Sequence, residues 1–271
     1  MKQILINVEP YETRVAITVG GTLEEFHIER SGQTRLAGNI YKGRVESVVP
    51  GIGALFVDIG SGKNGFLYID DVEESLRRDI RKGKELIVQV VKDPIGTKGP
   101  LLTSDISLPG KYLVMMPYNS TIGISKRIED RAERAKIKDV LEKSNLPKGF
   151  GCIARTQSLS ASPRQIRLEF KYLMNLWSRV KDRAEKQAAP SAVYEEYDLP
   201  MRIVRDYFDE DIEKILIDSK DEFKKIIRFS NSIQSKLRKK IFFYRGASPL
   251  YERYGIEEHI EKIFRRKVFL K

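Results

Sequence analysis

A chain of 271 residues, 41% hydrophobic and 32% charged, carries enough apolar material for buried cores divided among two or three small units, which excludes a disordered tail. No run approaches the roughly 18 apolar residues of a membrane span, and the opening MKQILINVEP lacks the parts of a secretory signal, so a cytoplasmic location is expected. The formal net charge of +11 is concentrated late, with fifteen Lys and Arg against six Asp and Glu between Lys220 and Lys271. That excess suits a polyanionic partner through phosphate neutralisation and counterion release. A solvated, lysine-rich helix face explains it equally well, and membrane-surface attachment, with no lipidation motif beside it, is a weaker third reading.

In chain order, Gln3 to Asn7, Arg14 to Val19 and Leu23 to Ile28 read as a three-strand antiparallel meander with a Gly20-Gly21 turn. Three strands have too little surface to stand alone and need a partner from later in the chain. From Asn39 a second all-β unit begins, with strands at Ile40 to Val49, Ala54 to Ile59, Gly65 to Ile69, Glu85 to Asp93 and Leu101 to Ile106. Five short strands separated by Gly, Pro and Asp turns predict a small OB-like barrel. After Lys111 the pattern becomes α+β: the strand YLVMMP, a polar turn, the helix EDRAERAKIKDVLEKSN, the strand GFGCIART and the long helix PRQIRLEFKYLMNLWSRVKDRAEK. Ala188 to Ser191 and Asp198-Leu199-Pro200 read as connections. RIVRDYFDEDIEKILIDS then gives a helix and a strand, and KDEFKKIIRFSNSI another helix. This late segment is a candidate partner for the first meander, making the barrel and the middle unit an insertion in a discontinuous domain.

Alternation along the barrel strands sends Leu55, Val57 and Ile59 to one face and Phe56 with Asp58 to the other, and likewise Leu67 and Ile69 inward, Phe66 and Tyr68 outward. Exposed rings on adjacent strands, with Lys42 and Arg44 on the polar face of the first strand, predict a base-stacking platform with a basic border. Barrel curvature is the alternative, since it can turn a ring, Tyr68 above all, into the core. Cys152, the only cysteine, rules out an internal disulfide and an all-cysteine zinc site, and beside Phe150, Ile153 and Ala154 it reads as a small buried apolar residue. A catalytic thiol would want a nearby histidine, and His27 and His259 sit in amphipathic stretches.

The runs GNIYKGRVESVVPGIGALFVDIGSGKNGFLYIDDV and VQVVKDPIGTKGPLLTSDISLPGKYLVMMP resemble the barrel and following strand of the RNase E/G family of endoribonucleases. GISKRIED, GFGCIART, RDYFDEDIEKILIDS and FFYRGASPLYERYGIEEHIEKIFRRKV agree in order and spacing, so the resemblance covers essentially the whole chain. It implies an α+β architecture in which an S1-like OB-fold barrel (39–108) and a 5′-sensor subdomain (109–200) interrupt a degenerate RNase H-like domain (1–38 and 201–271). It further implies a partner, single-stranded RNA bearing a 5′-monophosphate. The phosphate would be gripped by Arg155 and Thr156, with backbone around Gly123 and Ile124 and with Arg127 nearby; Phe56, Phe66, Tyr68, Lys42, Arg44 and Lys98 would bind RNA on the barrel. A guanidinium gives phosphate bidentate donors and a threonine hydroxyl adds a third. The sequence departs from the family after the Arg-Thr pair, reading QSLSASPRQ in place of small residues and an acidic-glycine turn, and in Lys126-Arg127.

The family cuts RNA with magnesium held by two aspartates in a DNase I-like domain that follows RKVFLK, and this chain stops at Lys271. Two carboxylates are required to anchor a metal that activates water and stabilises the in-line phosphate transition state. Asp206, Asp209 and Asp211 read as a solvated face of one helix, and Asp58, Asp93 and Asp105 occupy separate barrel positions. The expectation is a chain that binds RNA without cutting it, with no catalytic residue, metal or cofactor of its own. Magnesium, self-association and roles in ribosomal RNA maturation and messenger turnover are expected of the full-length enzyme. The alternatives are a naturally short, non-catalytic RNA-binding protein and a ribosome-assembly or translation factor using a generic barrel.

Overall fold

The computed structural model describes residues 1–32, 35–143, 147, 149–207, 211–233 and 235–263. The chain opens with β1 (Lys2–Val8), β2 (Glu12–Val19) and β3 (Thr22–Arg30), paired antiparallel in that order. Gly20 and Gly21, both at positive φ (60° and 86°), make the tight turn between the last two, a conformation that side chains with a Cβ rarely adopt.

The next unit is the barrel: β4 (Ile40–Val49), β5 (Ala54–Asp58), β6 (Gly65–Tyr68), a short helix α1 (Glu74–Arg77), β7 (Glu85–Lys92) and β8 (Leu101–Thr103). The strands neighbour one another in the order β4-β5-β6-β8-β7, and β7 pairs back onto β4, so five strands close without a free edge. Val45, Leu55, Val57, Ile59, Leu67, Val88 and Leu102 fill the interior, as the alternation requires. Asp93 closes one end by accepting the N–H groups of Leu36 and Ala37, at 2.6 and 2.9 Å.

Four short strands follow: β9 (Leu108–Pro109), β10 (Leu113–Met116), β11 (Ile122–Ile124) and, after α2 (Arg131–Glu142), β12 (Gly151–Ala154). They form a sheet ordered β11-β12-β10-β9. The helix α3 (Pro163–Lys186) buries Ile166, Phe170, Leu173, Trp177, Val180 and Ala184 at three- and four-residue spacing against the core that also contains Leu113, Met115, Cys152 and Ala154. Its start is fixed by a reciprocal capping box between Ser162 and Gln165, with Pro163 in the first turn. The connection expected at Ala188 to Ser191 leads into β13 (Ser191–Tyr194), a strand that the sequence pattern does not predict, antiparallel to β4. Four residues carry no periodicity to read, and the strand exists because its partner supplies the hydrogen bonds.

The chain then adds α4 (Leu199–Tyr207), β14 (Ile212–Ile217), α5 (Lys220–Ile233), β15 (Ile241–Phe243), α6 (Leu250–Arg253) and α7 (Ile256–Ile263). β14 lies parallel to β1, with Ile4 opposite Ile215, and β15 parallel to β14, giving a five-stranded sheet ordered β15-β14-β1-β2-β3. One face, with Ile4, Ile6, Ile215 and Ile217, packs on Ile203, Ile226 and Phe229; the other, with Leu5 and Leu216, packs on Leu250, Tyr251 and Ile256. Burial on both faces explains the unbroken apolar run of β1. The molecule therefore divides into a unit formed by both ends of the chain, 1–34 with 197–271, and a unit 35–196.

One expectation is corrected here. α4 ends at Tyr207 and Asp211 lies in the turn before β14, so Asp206, Asp209 and Asp211 do not share a helix; Asp209 lies outside the described residues. The basic stretch FRRKVFLK (264–271) also lies outside them. Among the described residues no helix is long and apolar enough to cross a membrane.

Candidate nucleic-acid interface

Two places on the unit 35–196 gather the residues singled out above. On the barrel, the register that sets Phe56 opposite Phe66 places both rings on the outer face, because their neighbours Leu55, Val57 and Leu67 are fully buried. The rings meet edge to face with centroids 5.8 Å apart, and Phe66 meets Tyr68 the same way at 4.8 Å. Tyr68 is 48% exposed, so curvature does not take it into the core. The three rings line a cavity of about 750 Å³ together with Leu101, Gly99 and the polar residues Lys63, Asn64, Thr97 and Lys98. Lys63 donates to the carbonyl of Gly96 at 2.6 Å, tying the β5–β6 loop to the β7–β8 loop that carries Lys98. Among the described residues no carboxylate lines the cavity and none pairs with Lys98. Aromatic faces beside an unneutralised ammonium suit a planar ring attached to a phosphate.

Lys42 and Arg44 are placed differently. The Lys42 ammonium lies 2.9 Å from Glu85 and donates to the carbonyl of Gln187 at 3.0 Å. Arg44 donates to the carbonyl of Ala189 at 2.6 Å and reaches the same Glu85 at 3.5 Å. Neither lines the cavity. Their hydrogen bonds hold the Glu85 carboxyl below its usual range, Lys42 foremost.

The second place is the end of the β11–β12 pair. Gly123 lies opposite Ile153 and Ile124 opposite Ala154 in parallel register, so the residues that follow, Ser125 and Arg155-Thr156, emerge side by side. Thr156 and Ser125 approach hydroxyl to hydroxyl at 3.4 Å. Arg134 of α2 donates to the carbonyls of Ser125 and Ile128, each at 2.9 Å, fixing the turn that carries the exposed Arg127, whose N–H donates to the Ser125 hydroxyl at 3.3 Å. Arg155 is half-buried and donates through its guanidinium to the carbonyl of Gly110, and its positive charge favours the ionised form of Glu169. Sequence reasoning missed Ser125, Arg134, Asn64 and Glu169. Only Glu169 leaves a signal: three residues after Ile166 and four before Leu173, it is a carboxylate within the apolar stripe of α3.

Other groups are structural. Cys152 is fully buried and burial pushes its thiol up to about 11. His27 lies beside Glu25, and His259 contacts the carbonyl of Gly255, the residue just before its helix. Among the described residues no three His, Cys, Asp or Glu gather as a metal site. Of the carboxylates considered earlier, Asp93 accepts from Leu36 and Ala37, Asp58 accepts from the N–H of Gly60 at 2.8 Å, and Asp206 pairs with Arg205 at 2.9 Å.

Comparison with known proteins agrees with this arrangement. Residues 107–271 match the Ribonuclease E/G family and residues 36–92 the S1 RNA binding domain. Ribonuclease G of Haemophilus influenzae is 40% identical over 99% of this chain and 58% of its own length. Ribonuclease G of Escherichia coli K12 is 39% identical over the same shares, and Ribonuclease E of Haemophilus influenzae is 36% identical over the whole of this chain and 30% of its own. The chain thus spans 58% of the length of these ribonuclease G relatives.

Proposed function

This chain belongs to the Ribonuclease E/G family, and on that premise we propose that it is the RNA-binding and 5′-end-sensing portion of an endoribonuclease acting on single-stranded RNA in the cytoplasm. The barrel is an S1 RNA binding domain. The observation that carries the reading is the cavity in which Phe56, Phe66 and Tyr68 stand beside Lys98, which pairs with no carboxylate among the described residues. A base stacked there contributes roughly 1 to 3 kcal/mol without demanding a sequence, and the ammonium takes the adjoining phosphate. Duplex RNA has its bases stacked already and offers the rings nothing.

End sensing is supported by the convergence of Arg155, Thr156 and the Gly123-Ile124 backbone at one end of two parallel strands. A guanidinium, a hydroxyl and backbone groups are the donor set a terminal phosphate dianion needs. The unit built from both chain ends is read as the family's RNase H-like domain, supported by the way β14 and β15 complete the sheet that β1 begins. Binding and recognition, not cleavage, are the roles we assign to the described residues.

The test is affinity for a short single-stranded RNA with a 5′-monophosphate or a 5′-hydroxyl, at one salt concentration, for wild type and Arg155→Ala. Tighter binding of the monophosphate by wild type, abolished by the substitution, is the expected result. Equal affinities in wild type would leave a barrel that binds RNA and no end sensor.

A further inference from the structure

α3 presents a carboxylate where its packing stripe calls for an apolar side chain. Glu169 receives three consecutive backbone N–H groups, from Lys111 at 2.7 Å to one oxygen and from Tyr112 and Leu113 at 2.7 and 2.8 Å to the other. The loop so gripped begins with Gly110, whose carbonyl accepts from Arg155. A Cβ on Gly110 would stand 2.6 Å from the Glu169 carboxyl carbon, so only glycine lets the loop lie this close. The N–H of Arg155 is itself bonded to the carbonyl of Tyr112 at 2.7 Å, inside the same loop. Both the backbone and the guanidinium of Arg155 are therefore anchored to a four-residue segment three of whose N–H groups are taken by one carboxylate.

We infer that Glu169 is a positioning residue for the 5′-phosphate site, acting through residues 110–113 to fix the Arg155 guanidinium. The inference rests on the end-sensing reading above. Three charge-assisted bonds are far more than a turn of this length needs, and a guanidinium held at both ends can meet a phosphate without first losing side-chain freedom. The opposite charge of Glu169 also steadies the cation. Burial raises the Glu169 carboxyl against the pull of the backbone donors and Arg155, so the chain bears a desolvation cost at this position. A core residue kept only for packing would avoid it.

Wild type, Glu169→Gln, Glu169→Asp and Gly110→Ala should be compared for binding of 5′-monophosphate and 5′-hydroxyl RNA, with thermal melts to confirm folding. Glu169→Gln is expected to lose about tenfold of the monophosphate preference, the equivalent of ~1.4 kcal/mol, while its affinity for 5′-hydroxyl RNA, set by the barrel, stays put. Glu169→Asp, which keeps the charge, should recover part of the loss, and Gly110→Ala should reproduce it by displacing the carboxylate from the other side. The 31P shift of the bound terminal phosphate reports the contact directly. Its second ionisation should be depressed in the wild-type complex and return toward that of free RNA in Glu169→Gln, which loss of general stability would not bring about. A full preference retained by folded Glu169→Gln overturns the inference. If that variant does not fold, a full preference in Gly110→Ala does so instead. Absence of any preference in wild type would be recognised separately, as failure of the end-sensing reading itself.

Discussion

Phe66 is the ring on which the barrel platform depends, because it alone touches both of the others, Phe56 at 5.8 Å and Tyr68 at 4.8 Å. Phe66→Ala removes one stacking face and leaves the remaining two rings without a common wall. The loss of one base contact is roughly 1 to 3 kcal/mol, which is about 5- to 150-fold in Kd. The upper part of that range is expected, since Phe56 and Tyr68 would be free to turn into the vacated space. The cost to folding should not exceed that range, because the ring lies on the outer face and the interior of Val57, Leu67 and Leu102 is untouched. Two edge-to-face contacts of about 0.5 to 1.5 kcal/mol each bound that cost. Fluorescence anisotropy with a labelled 5′-hydroxyl oligouridine, which bypasses any end recognition, gives the Kd at constant salt, and circular dichroism gives the melt. A folded Phe66→Ala that binds as tightly as wild type would refute the platform. So would a loss of binding that simply follows a loss of fold.

Lys98→Ala should lower the slope of log K against log salt by about 0.7, the value for one phosphate contact on a single strand. Lys42→Ala should lower it less, because that ammonium is already paired with Glu85; equal falls would return Lys42 to the RNA path. Cys152 gives a pH dependence. Its folded thiol is raised to about 11 from an ordinary 9.0, so the neutral thiol is the form the fold favours. The stability it contributes is intact below pH 9 and is lost as pH rises toward 11, by up to ~1.4 kcal/mol per pH unit. Urea midpoints across that window should fall less steeply in Cys152→Ala, and an unchanged slope would show that other groups govern the alkaline limb. In the native state Cys152 should also resist alkylation at pH 8, which mass spectrometry reads directly.

What the sequence disclosed follows from where periodicity is strong. α3 is legible to the residue because a capping box opens it and a 24-residue stripe sustains it, and the barrel interior is legible because burial alternates from Leu55 to Asp58 in β5 and throughout β6. β9, β11 and β13 were not, since two to four residues have no period and exist only through pairing with β10, β12 and β4. That gap bears directly on the site. β11 is the strand that carries Gly123 and Ile124 beside Arg155, so the grouping of these residues is expected from family resemblance and not from pattern. β13 has a second consequence. By returning to β4 it brings the carbonyls of Gln187 and Ala189 to Lys42 and Arg44, residues that alternation alone assigns to the open face of the barrel. A cation on a polar strand face is available to RNA only if no other segment reaches it first, and this can be learned only from tertiary structure. Lys98 sits at a loop with no such neighbour, and it is the barrel cation on which the RNA contact should turn.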